Sequence, residues 1–226
     1  MCGIGGIVRP DPELAVDETA LLRMARALRH RGPDGFGLLL DEGAGLVSSR
    51  LAIFDLERGW QPLESEPSGS ALIYNGEVYN HPELRTELER RGDTFATTSD
   101  TEVVLRLLER DGLAALERLN GQFAFAWWDP KLRRVTLVRD RFGVRPLYYS
   151  LLADGTLVFG SEAKALFASG EVSAEADMLG LDEVFTLWGT RPPRSTFLGV
   201  SQVPAGGVVT WERGRVVGER RWWQPR

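Results

Sequence analysis

Cys2 is the only cysteine among the 226 residues, and it directly follows the initiator methionine. A side chain this small lets an aminopeptidase remove Met1, which leaves a thiol and a free α-amine on one residue. The amine has a reference pKa of roughly 7.7–8.0 and the thiol about 8.5, so the amine can act as general base without any histidine. The plainer alternative is a small buried apolar side chain, which a lone cysteine commonly is. Its neighbours favour a structured position. Gly3, Gly5 and Gly6 alternate with Ile4, Ile7 and Val8. The branched residues suit a strand, and the glycines let another backbone or a substrate come close.

Three more places carry usable chemistry. Asn75-Gly76 follows the apolar run at residues 71–74. Its structural reading is a hairpin turn. Its functional reading is an oxyanion hole, in which an Asn side-chain N–H and a glycine N–H converge on one developing negative oxygen. Arg50 stands among apolar residues and needs a partner if buried, either a structural counter-ion or a substrate carboxylate gripped by the guanidinium fork. Asp100 can cap a helix or accept a substrate ammonium. A guanidinium for a carboxylate and carboxylates for an ammonium are what an α-amino acid requires, and Arg50, Glu77 and Asp100 supply that set.

The elements that must position these groups follow from periodicity. Residues 17–30 place Leu21, Leu22, Ala25 and Leu28 on one helical face. Strand-like segments follow at 37–40, 46–54 and 71–74, the last expected to stop at Asn75-Gly76. Asn80 is placed to cap a helix beginning near Pro82 with Leu84 and Leu88 inward, and Ser99 or Asp100 to cap one with Val103, Val104, Leu107 and Leu108 inward. Short aromatic and branched segments at 122–129, 135–139, 146–152 and 156–160 read as an antiparallel meander, followed by a helix at 161–168 and strands at 208–211 and 216–223. Strands and helices do not alternate regularly, so α+β with antiparallel sheets is expected rather than a doubly wound fold. Trp127-Trp128 and Trp222-Trp223 read as core or contact aromatics, His30 as structural, and His81 as an exposed helix start. Arg139, Asp140 and Arg141 read as an ionic network.

Composition sets the limits. A formal charge of −5 shows no basic excess, which argues against a nucleic-acid partner. No apolar run spans a bilayer, and the N-terminus lacks the basic-then-apolar layout of a secretory signal, so no membrane partner is expected. One cysteine forms no internal disulfide and suits a reducing cytoplasm. Two histidines, with no CxxC or HExxH, give no metal site.

The motifs taken together are similar to the glutaminase domain of class II glutamine amidotransferases, N-terminal nucleophile hydrolases. They most resemble the N-terminal half of glutamine-dependent asparagine synthetase. They are CGIGG (2–6), HRGPDGFG (30–37), RLAIFDL (50–56), NGEVYN (75–80), SDTEV (99–103), LNGQFAFAWWD (119–129), RDRFGVRPLYY (139–149) and FGSEAKAL (159–166), in family order. The resemblance implies a four-layer α/β/β/α sandwich of antiparallel sheets over residues 1–226. It implies Cys2 as nucleophile, Asn75 and Gly76 as oxyanion donors, Arg50 on the α-carboxylate of L-glutamine, and Glu77 and Asp100 on its α-ammonium. Backbone groups of a strand through Leu51, Ile53 and Phe54 would complete the pocket. Ser48 stands where relatives often carry histidine. The family's SGG-x-DS phosphate loop does not occur, so an ATP-dependent synthetase domain or subunit is the expected partner. ATP and magnesium are expected only there, and no cofactor in this domain. A homodimer is left open. Two other readings are an acylase-type N-terminal-cysteine hydrolase, which needs no amino-acid clamp, and a non-catalytic module.

Overall fold

The computed structural model describes residues 2–53 and 55–225. Its apolar side chains fall into three clusters, and each fills one interface between layers. One six-stranded antiparallel sheet runs in the order β10 (Ser201–Gln202), β8 (Tyr148–Leu151), β9 (Leu157–Gly160), β1 (Gly3–Val8), β3 (Ala44–Arg50) and β2 (Gly35–Asp41). The other runs β12 (Arg215–Arg221), β11 (Gly207–Glu212), β7 (Arg134–Arg139), β6 (Gly121–Asp129), β5 (Ala71–Val78) and β4 (Leu63–Glu64). The inner faces meet through Ile4, Val8, Leu46, Ile73, Leu137 and Trp211.

Helices close both outer faces. On α1 (Glu18–Leu28), Leu21, Met24 and Ala25 lie against Ile7 and Val47 of the first sheet, with α4 (Ala163–Ser169) beside them through Leu166. On the second sheet, Val103, Val104, Leu107 and Leu108 of α3 (Asp100–Asp111) and Leu84 and Leu88 of α2 (His81–Arg90) cover Leu72, Tyr74 and Phe123. This is the expected α/β/β/α sandwich. No helix of the described residues is long and apolar enough to cross a membrane.

The structure corrects several local expectations. Asn75-Gly76 is no turn: β5 runs through it to Val78, with Asn75 opposite Ala124 and Gly76 opposite Phe123. A type I′ turn needs positive φ at both central residues, and neither has it. Glycine is required for another reason. A Cβ at position 76 would lie 2.3 Å from the Gln122 carbonyl oxygen and 2.6 Å from Phe123 Cα. Gly76→Ala should therefore lower folding stability by about 1–3 kcal/mol, measured as an earlier urea midpoint.

The expected meander divides between the sheets, β6 and β7 in one and β8 and β9 in the other. The cause is Asp140. Its fully buried carboxylate accepts the backbone N–H groups of Phe123, Phe142, Val144 and Arg145, which coils the chain after β7 and sends it across. Nor do the neighbouring charges form an ionic network. Arg139 donates to the carbonyls of Gly143, Arg145 and Val203, and Arg141 to those of Glu117 and Leu119. Asn80 stands before α2, but its side chain bonds Asn120 N and Arg118 O instead of capping it. Ser99 caps α3. His81 is half-buried, with Nδ1 3.0 Å from Val78 O.

Helix α5 (Met178–Leu187) and strand β10 had no periodic signal. The inward face of α5 holds Gly180 and the charged Glu183, which pairs with Arg191 and Arg194. Its apolar Met178, Leu179, Phe185 and Leu187 face outward. The usual helical pattern is thus inverted.

Candidate active site

Strand alternation brings the reactive groups together. Ala44 and Leu46 of β3, and Ala71 and Ile73 of β5, fill the space between the sheets. With period two, Arg50 on β3 and Asn75 and Glu77 on β5 share that inner face. Ile4 and Val8 of β1 do likewise, so Cys2, one step before β1, continues onto it. Gly3 lies opposite Ser49, which sets Cys2 beside Arg50. Where the apolar filling ends, a cleft open to solvent is lined by Cys2, Arg50, Leu51, Ile53, Gly76, Glu77 and Asp100. Seven of the nine residues expected from the sequence therefore meet. Phe54 lies outside the described residues. Asn75 is fully buried and lies off the lining.

The sulfur of Cys2 sits against Leu51. The Leu51 N–H points at Sγ from 3.4 Å, and the thiol faces Leu51 O at 3.7 Å. A backbone N–H directed at sulfur complements negative charge developing there. The start of the chain is tied down, whereas a chain end generally frays. Ile4 exchanges backbone and side-chain bonds with Ser161, and Arg31 Nε donates to the Cys2 carbonyl at 3.2 Å. Arg31 in turn binds Glu162 at 2.7 Å, which also meets His30 at 2.9 Å and Lys164 at 3.0 Å.

Burial pushes the Glu162 carboxyl up, but bonds from Arg31, Lys164 and His30 outweigh it and hold the group at about 2. A carboxyl lowered from 4.5 to about 2 stabilises the fold above 4.5, and that contribution disappears as pH falls to 2. The stability deficit of Glu162→Gln should therefore be full at pH 7 and close between about pH 4.5 and 2, which calorimetry across pH would read.

Asn75 is the most unusual group. Its Nδ2 and Oδ1 are both buried without a hydrogen-bond partner among the described residues. Leaving such a group unpaired typically costs about 1–3 kcal/mol, so a native protein keeps few of them without a function. Ser48 Oγ, on the same inner face, is also buried without a partner among the described residues.

Arg50 is buried, yet its fork is not held in reserve. Nη1 donates to Leu56 O at 2.9 Å and Nη2 to Asp55 O at 2.6 Å, and the guanidinium stacks over Trp60 at 4.7 Å. Two of its five N–H donors thus fasten the loop after β3. That loop is a correction too: β3 ends at Arg50, so Leu51 and Ile53 are not strand residues. Asp55 pins the loop to the segment before α3, taking Thr98 N at 2.7 Å and Thr98 Oγ1 at 3.1 Å. The Thr98 N–H is the main reason its carboxyl lies below its ordinary value.

Asp100 is buried. Its Oδ2 accepts Tyr74 OH at 3.0 Å and Val78 N at 2.9 Å. Burial raises its pKa, and those two bonds only partly offset the rise. Sequence reasoning missed Gln61, Tyr74 and Arg145, which also line the cleft. Arg145 is buried, with Nε unpaired among the described residues. Arg50 and Arg145 set against Glu77 and Asp100 sum to zero charge, which suits a zwitterion.

A family model described as a glutamine amidotransferase domain matches residues 1–223. The chain belongs to that family. Among relatives of this amidotransferase domain, asparagine synthetase (glutamine-hydrolyzing) 3 of Bacillus subtilis strain 168 is 37% identical over 216 residues, 94% of this chain and 35% of its own length. A probable asparagine synthetase (glutamine-hydrolyzing) of Dictyostelium discoideum is 41% identical over 167 residues, 74% of this chain and 30% of its own. The domain spans about a third of the length of the curated relatives it matches. Among solved structures, the allosteric regulatory enzyme of purine biosynthesis superposes with a TM-score of 0.72 at 22% identity, covering 99% of this chain and 50% of that one. A glutamine phosphoribosylpyrophosphate amidotransferase from B. subtilis, solved with ADP and GMP, gives 0.69 at 21%, with the same coverage. At such identities the likeness is one of fold, and the fold is the sandwich described above.

Proposed function

We propose that this domain hydrolyses the side-chain amide of L-glutamine through a thioester on Cys2. It would supply the ammonia to an ATP-dependent synthetase domain or subunit of the asparagine-synthetase type. The observation that carries the reading is the single thiol set at the mouth of a charge-balanced cleft, with the unpaired Asn75 amide buried on the same inner face.

With Met1 removed, the Cys2 amine takes the thiol proton as sulfur adds to the amide carbon. The carbonyl π electrons move onto oxygen, which Asn75 Nδ2–H and the Gly76 N–H stabilise. The tetrahedral species collapses, the C–N bond breaks, and the Cys2 ammonium protonates the departing nitrogen to give ammonia. Water, deprotonated by the same amine, adds to the thioester through a second oxyanion in the same hole. The C–S bond then breaks, the Cys2 ammonium returns its proton to the sulfur, and glutamate leaves. Arg50 holds the α-carboxylate, Glu77 and Asp100 the α-ammonium, and backbone groups of Leu51 and Ile53 line the pocket. ATP and magnesium belong to the synthetase partner, which forms the new C–N bond.

The test pairs intact-mass measurement with glutamate release. Protein lacking Met1 should make glutamate from L-glutamine and little from D-glutamine. Turnover of fatty-acyl amides instead would establish the acylase reading. Correctly processed protein that turns over neither, with a synthetase partner supplied, would establish a non-catalytic module. The Asp55 tether gives a graded check: Asp55→Ala should raise KM for glutamine about tenfold and leave kcat within about threefold, since it loosens the binding loop without touching the thiol.

A further inference from the structure

We propose that Tyr74 is a positioning residue for the substrate-ammonium site, fixing how the Asp100 carboxylate is presented to the ligand. The proposal rests on the glutamine reading above. Tyr74 lies on β5 facing α3, and its ring is fully buried between Phe125 and the helix. Its hydroxyl and the Val78 N–H both bond Oδ2 of Asp100, at 3.0 and 2.9 Å. Two donors on one oxygen, with the Thr101 N–H also acting on the carboxylate, restrict its rotation and set how it meets a cationic ligand. The neighbouring backbone is braced in turn. Gln61 Oε1 accepts Tyr74 N at 2.7 Å, and Gln61 Nε2 reaches Thr101 Oγ1 at 3.3 Å, so one side chain ties β5 to the first turn of α3.

The phenol can only donate here. Burial first, and then the Asp100 charge, keep its pKa well above the ordinary value, so it stays protonated. A hydrogen bond to a carboxylate favours the ionised form, which is the form that binds an ammonium. The other charged groups around Asp100 are Glu77 on β5, His81 at the start of α2, and Arg50 and Arg145 across the cleft. Among the described residues, the hydrogen bonds to Oδ2 come from Tyr74 and Val78.

The experiment compares L-glutamine with glutaramate, which lacks the α-amine, in wild type, Tyr74→Phe, Asp100→Asn and the double variant. Tyr74→Phe should lose about tenfold or more in kcat/KM for glutamine, mostly in KM, and nothing for glutaramate. The acid limb of its glutamine profile should move to higher pH. On an Asp100→Asn background the Tyr74 change should add nothing. Replacing Tyr74 with 3-fluorotyrosine, a stronger donor of nearly the same size, should move the limb to lower pH without disturbing the packing. Equal losses on both substrates, or an unmoved acid limb in both Tyr74 variants, would overturn the positioning role. Wild type inert toward glutamine would instead sink the glutamine reading itself.

Discussion

Cys2→Ala protein should release glutamate at no more than background, a loss of about a thousandfold or more, because it removes the thiol that forms the acyl-enzyme. The fold should survive. Cys2 is half-buried and precedes β1, and among the described residues its sulfur bonds are both long and both to Leu51. Two forms of the native sequence sharpen the result. Protein that keeps its methionine still has the thiol, but its amine has become an amide and can accept no proton, so it should be about as inactive. Cys2→Ser keeps the amine and weakens only the nucleophile. Glutamate release, read beside intact mass, separates these cases. Activity in alkylated protein, or equal activity with methionine attached, would remove both roles from this residue.

Replacing Asn75 should have opposite effects on rate and stability. Loss of one oxyanion donor typically lowers kcat about 10²–10³-fold. Asn75→Leu should show that loss with KM little changed. The same substitution removes two buried polar atoms that lack partners among the described residues and leaves an apolar side chain of similar shape. The urea midpoint should therefore hold or rise, since an unsatisfied buried group costs about 1–3 kcal/mol. Rate and stability falling together would mean that the amide serves the fold and not the reaction.

The α+β class was legible because helix and strand periods are local, whereas the four-layer order came with the family resemblance. The stripe of Val103, Val104, Leu107 and Leu108 declares its helix without help from the rest of the chain. Chemistry-bearing residues were legible where their type is informative alone, as with the cysteine, or where a motif in family order carried them. What stayed hidden depends on pairing. Asn75-Gly76 reads as a turn until Phe123 is known to press on it. The division of the meander depends on one buried carboxylate gathering four N–H groups. Glu162 stands 131 residues from Arg31, so no spacing connects them. Tyr74 and Gln61 look like ordinary core and loop residues, and only the meeting of β5 with α3 gives them work. Helix α5 was missed because its inverted pattern conceals the usual signal.

Strand β1 lies in the interior of its sheet, flanked by β3 on one edge and β9 on the other, while Ser161 and the Glu162 cluster fasten its first residues. A ribosome makes the nucleophile first and those later clasps only after about two thirds of the domain has been translated. A chain stalled before β9 therefore has its sulfur and no seat for it. Under the proposed glutaminase reading, turnover would begin only once those clasps are in place.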